Sequence, residues 1–170
     1  MSEEDIFQRT GDAYLHLIHP VRSENRYRLD VAPVLAIAGS VPDDLISNLI
    51  GGPSWRERLL GLCIGMHRRP NPFVQPMLRS LADPRGISIV PTCAALAVLA
   101  KCGSYAMPES FAGMFNRAVF DGEIGWAAQK ALSLVGLRTG SILGRGPNYG
   151  QVFEDHLEVY SWIQSNSENS

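Results

Sequence analysis

Residues 59–66 are apolar nearly all the way round a helix, which leaves no face for water. Trp55, Leu59, Leu62, Cys63 and Met66 recur at i, i+4, i+7, i+8 and i+11, one stripe of a 3.6-residue period, while Leu60 and Ile64 fill the other side. A helix of this kind must be sandwiched between others. The stretch 87–100 repeats the demand: it is the longest nearly uncharged apolar run, and it is shorter than the roughly 20 residues needed to span a bilayer. It reads as a second enclosed core helix with Pro91 near its start. No segment shows the alternation of a half-buried strand, so the expected fold class is all-α.

Start and stop signals divide the rest. Residues 4–18 read as one helix weakened by Gly11 and ended by His19-Pro20. Residues 21–40 fit either a short helix or an inward-packing loop, with Pro33 inside the apolar part. Pro42, Asp43 and Asp44 open a helix whose first turn carries negative charge, and Gly51-Gly52-Pro53 closes it. Ser54 and Glu57 form a capping box, the clearest helix start in the chain. Asn71-Pro72 starts another helix, Asp83-Pro84-Arg85-Gly86 breaks it, and residues 90–102 form the alanine-rich helix. Helices opening at Pro108 and Asp121 follow, the second carrying Trp126, Ala127, Leu134 and Val135. Residues 139–150 are a glycine-rich connection, residues 151–163 a last helix and residues 165–170 a polar, frayed tail.

Segments centred on Leu62, Ala97 and Ala131 align at offsets of about 35 and 34 residues, the spacing of stacked helix pairs. The run Trp55-Arg-Glu-Arg through Ile64-Gly, then Arg68-Arg69 and Phe73, with the helices at 92–100 and 126–132, resembles small bacterial HEAT-like repeat proteins, some of them similar to immunity proteins that neutralise a cognate toxin. The resemblance covers about half the chain and implies an α-solenoid: an N-terminal helical cap at 1–53, a repeat core at 54–137, a glycine-rich loop at 138–150, a capping helix at 151–164 and a tail at 165–170, together one compact domain. It also implies a non-enzymatic protein-binding role in which the partner, possibly a cognate toxin, is occluded. If the second helix of each pair lines the concave surface, Gln75, Arg79, Glu109, Asn116 and Arg117 face that partner.

Charge bears on the alternatives. The chain carries 15 Lys and Arg against 17 Asp and Glu, a net charge of −2 that gives no overall field for a polyanion. The distribution is uneven: residues 1–53 hold 4 basic and 8 acidic groups, residues 54–90 hold 6 and 2, and residues 91–170 hold 5 and 7. The basic middle, with Arg68, Arg69 and Arg79 as phosphate-binding candidates, supports a HEAT-like nucleic-acid module as the alternative. Arg56, Arg58 and Arg85 belong to the same set. Pairing of these arginines with the acidic N-terminal third is the favoured reading, and nucleic acid is the less expected partner.

Catalytic and metal signatures are missing. His16, His19, His67 and His156 include no i, i+4 pair, so no metal site is expected, and the Glu154, Asp155, His156, Glu158 cluster reads as a solvated helix face. Cys63, Cys93 and Cys102 lack zinc or redox spacing and read as buried thiols of a reducing compartment. No nucleophile elbow or phosphate loop occurs, and no cofactor is expected. The acidic N-terminus is unlike a secretory or mitochondrial leader, which points to a cytoplasmic location without membrane association.

Overall fold

A computed structural model describes residues 1–18, 26–68, 71–83, 86–102, 130 and 147–167, with backbone alone at 26–30, 71 and 147–149. The described residues form eight α-helices and no strand: α1 (Glu3–Thr10), α2 (Ala13–His16), α3 (Arg26–Ala38), α4 (Asp43–Ile50), α5 (Trp55–His67), α6 (Val74–Ala82), α7 (Ile89–Lys101) and α8 (Pro147–Ser167). Short 3-10 turns at Asn71–Phe73 and Gly86–Ser88 lead into α6 and α7. The described residues are all-α, as the hydrophobic pattern leads one to expect. The helices expected to open at Pro108 and Asp121, and residues 139–146 of the expected glycine-rich loop, lie outside the described residues.

Local chemistry explains most boundaries. The Ser54 box forms as expected: the Ser54 N–H donates to Glu57 Oε2 at 3.0 Å, and the Glu57 N–H donates to Ser54 Oγ at 3.5 Å. A second box, unrecognised in the sequence, opens α1, where the Ser2 N–H donates to Asp5 Oδ2 at 2.7 Å and the Asp5 N–H to Ser2 Oγ at 3.2 Å. Those bonds hold the Asp5 carboxyl below its ordinary range. The single helix expected over 4–18 is instead two, because Gly11 takes φ +53° and its N–H closes α1 onto the Phe7 carbonyl at 2.9 Å. Only glycine adopts that conformation without strain. The ambiguity over 21–40 resolves into helix from Arg26 onward, and Pro33, which has no N–H to donate, sits exposed on its outer side. The last helix is longer at both ends than expected: it begins within the glycine-rich segment at Pro147 and runs through Ser165–Ser167, read above as tail.

The core is organised around α5. Every residue from Arg58 to Met66 is buried, and α2, α3, α4, α7 and α8 all pack against this helix. The second enclosed helix, α7, is buried at every position from Ile89 to Leu99 and lies against α5, α6 and α8. Burial is what makes α5 a helix. Gly61 and Gly65 each cost about 1 kcal/mol of helix propensity relative to alanine, whereas each enclosed leucine or isoleucine contributes about 1.5–3 kcal/mol. The two glycines are not equivalent. A Cβ on Gly61 would stand 2.7 Å from the Ile50 backbone N and 2.8 Å from Leu49 Cβ, so α4 approaches α5 through space that no other residue leaves. A Cβ on Gly65 would meet Phe73 Cδ2 at 3.3 Å and otherwise make ordinary contacts. Gly61→Ala should therefore destabilise the protein by about 2 kcal/mol, overpacking outweighing propensity. Gly65→Ala should be near neutral or stabilising by up to about 1 kcal/mol; urea midpoints at constant slope would measure both.

Candidate functional site

α6 is the helix on which the sequence places its first two partner-facing residues, and Arg58 of α5 fixes its position. Arg58 is 1% exposed. Its Nε donates to the Gly52 carbonyl at 2.7 Å, and Nη1 donates to the Ser80 carbonyl at 2.9 Å, Ser80 Oγ at 3.1 Å and the Asp83 carbonyl at 2.7 Å. Nη2 lies 3.5 Å from Asp83 Oδ2, a carboxylate whose side chain is 65% exposed. A solvated carboxylate at that distance adds little. The stabilising work falls to the three carbonyls, which end the loop before α5 and the last turn of α6 and would otherwise be left without a charge-assisted donor. Arg58 is thus no part of an outward basic surface; its donors are used within the chain, as the favoured reading of these arginines has it, but on backbone carbonyls and not on the carboxylates of the N-terminal third.

With α6 pinned along Val74, Met77, Ser80 and Leu81, its outer face carries Gln75 and Arg79, one turn apart and exposed. At its approach, Asp43, Arg68, Pro72 and Phe73 line an open hollow of about 360 Å³. Arg68 is engaged there with the chain itself: Nη1 donates to the carbonyls of Ala38, Gly39 and Val41 at 3.2, 3.1 and 3.4 Å, and Nη2 donates to Asp43 Oδ1 at 3.0 Å. This caps the C-terminus of α3 and joins the basic middle to the acidic N-terminal third, as the charge distribution suggests. Arg56 lies over two rings, its Cζ 5.3 Å from the Tyr14 centroid and 5.4 Å from that of Trp55. Trp55, expected in the core, is half-buried at the start of α5, edge-on to Tyr14 at 5.8 Å. Arg69, Arg85, Glu109, Asn116 and Arg117 lie outside the described residues.

A second concavity of about 280 Å³ runs between α7 and α8, floored by Ala97, Val98 and Leu157 and edged by Lys101, Glu154, Glu158 and Ser161. Lys130 reaches its Glu154 edge at 3.3 Å. Neither propensity nor periodicity signals this groove, since it depends on where α8 returns. The same return overturns the reading of His156 as part of a solvated face: the ring is 1% exposed, with Nδ1 2.8 Å from the Val152 carbonyl oxygen and Nε2 2.8 Å from that of Leu17. Glu158 does remain exposed.

The two interior thiols and the Tyr160 phenol are held neutral. Burial pushes the thiols of Cys63 and Cys93 up to about 12 and, with Cys63 nearby, carries Tyr160 well above its ordinary value. Burial and then the Arg68 charge lower His67, whose Nδ1 is enclosed without a hydrogen-bond partner. Among the described residues no three His, Cys, Asp or Glu side chains gather so as to hold a metal ion, and no helix is long and apolar enough to cross a membrane. Cys102 is exposed at the end of α7, correcting the reading of all three thiols as buried. Comparison with family models, curated proteins and solved structures finds no match.

Two outcomes should follow. Replacing Arg58 with Leu should cost about 3 kcal/mol or more in chemical unfolding, since several buried carbonyls lose their donor at about 1–3 kcal/mol each, whereas Asp83→Asn should cost under about 1 kcal/mol. A disulfide reagent near pH 8 should modify Cys102 rapidly while Cys63 and Cys93 react only after denaturation, because the thiolate is the nucleophile and theirs is suppressed.

Proposed function

We propose that this chain is a non-enzymatic protein-binding module, a HEAT-like helical stack of the cytoplasm that occludes its partner, and in its most concrete form an immunity protein against a cognate toxin. The observation that carries the reading is the state of α6, an amphipathic helix: one face is locked into the core and to Arg58, and the other presents Gln75 and Arg79 to solvent as a fixed polar surface. A rigid helix face loses little entropy on docking, and an exposed guanidinium suits an acidic partner surface by steering encounter. The contact of α5 with α7, the two described segments aligned by the 35-residue offset, supports the stacked arrangement.

The nucleic-acid reading has less support. Of its three arginines, Arg68 is committed to three backbone carbonyls and Asp43, and Arg69 lies outside the described residues. Of the two described members, Arg79 is the exposed one. Affinity capture from the source organism, washed at low and raised salt, tests the proposal. The expected result is one stoichiometric protein partner retained at raised salt, with affinity reduced at least about ten-fold by Arg79→Glu together with Gln75→Ala, a change of about 1.4 kcal/mol. Recovery of salt-labile nucleic acid, or a partner indifferent to the double substitution, overturns the function or the surface respectively.

A further inference from the structure

The buried His156 ring faces two carbonyl oxygens, one through each nitrogen. A carbonyl oxygen only accepts. A neutral imidazole has one N–H and one lone pair, so it satisfies one of the two and turns its lone pair toward the other at 2.8 Å. A ring with both nitrogens protonated donates to both. One bond is local, to Val152 a turn earlier on α8, and the other joins residues 139 apart in the chain, tying α8 to the end of α2.

We propose that His156 carries both protons in the folded protein and serves as a proton-dependent clamp between the C-terminal helix and the N-terminal α1–α2 segment. Burial penalises the cation. Two charge-assisted bonds to fixed carbonyls oppose that penalty, as do the carboxylates of Glu154, Asp155 and Glu158 on the same helix. Among the described residues, the other ionisable groups on the elements packed around it are Tyr160, with its ring 5.7 Å away, Cys63 of α5 behind Tyr160, His16 beside Leu17, Lys101 across the groove from Glu154 and Glu158, and Lys130, which offsets Glu154 at 3.3 Å. Burial holds Tyr160 and Cys63 neutral, so they add no anion beside the ring and the two carbonyls carry the cation. The sign follows: a base held in its charged form by the fold stabilises that fold in acid, and the contribution is lost as pH rises and the ring gives up a proton. His67, held neutral by burial and by Arg68, works in the opposite direction, its contribution being lost as pH falls.

Nitrogen-15 spectra of the histidine rings in the wild-type protein test the assignment directly. At about pH 6 both His156 nitrogens should resonate as N–H donors, and a lone-pair signal from either one overturns the proposal. Thermal unfolding gives the second reading. Between about pH 6 and pH 9 the wild-type Tm should fall by about 4 °C more than that of His156→Gln, whose amide does not titrate; His67 contributes equally to both and cancels. An equal pH dependence in the two proteins overturns the clamp. If His156→Gln does not fold, the ring spectra decide alone.

Discussion

Because α5 has no face that water can occupy, its neighbours are obligatory. The leucines, Cys63, Ile64 and Met66 that surround its axis need apolar cover in every direction, and the cover comes from five helices drawn from both halves of the chain. Where the cover comes too close for a side chain, the sequence supplies Gly61, admitting the backbone of α4 at Ile50. Where a polar group must enter, the sequence supplies Arg58, whose donors match the carbonyls left bare by the loop before α5 and by the C-terminal end of α6. Packing and hydrogen-bond satisfaction are thus settled at the same few positions, and α6 is held in place as a result.

What was legible in the sequence follows the range of each interaction. The Ser54 box, the stop at Gly51-Gly52 and the enclosed character of α5 and α7 involve residues within a few turns of one another, and pattern alone exposes them. The fate of Arg58 did not show, because its acceptors come from loops up to 25 residues away and an arginine beside Trp55 and Glu57 looks the same on a surface as in a core. His156 was misread for the same reason: three acidic neighbours suggested solvent, while the decisive partner lies at Leu17. The break at Gly11 turned on a positive φ, which a lone glycine in an apolar stripe permits without requiring.

Of the residues named for a partner, Gln75 and Arg79 are exposed on the outer face of α6. The basic middle, read as a charge distribution, separates in space into three roles: Arg58 bonds loop carbonyls, Arg68 caps α3, and Arg56 covers aromatic rings. Net charge along a sequence counts groups, whereas a partner meets only those whose donors the chain has not already used.

The contact between α8 and the end of α2 also bears on how the molecule is made. In an open stack each unit rests on its neighbours and can order as it is synthesised. Here a carbonyl near the start of the chain waits for a ring among its last helical residues, and α5 acquires part of its cover from that same helix. During translation the central helix therefore stays incompletely enclosed until α8 has emerged. Such non-local closure slows folding and prolongs the interval in which apolar surface is open to other nascent chains.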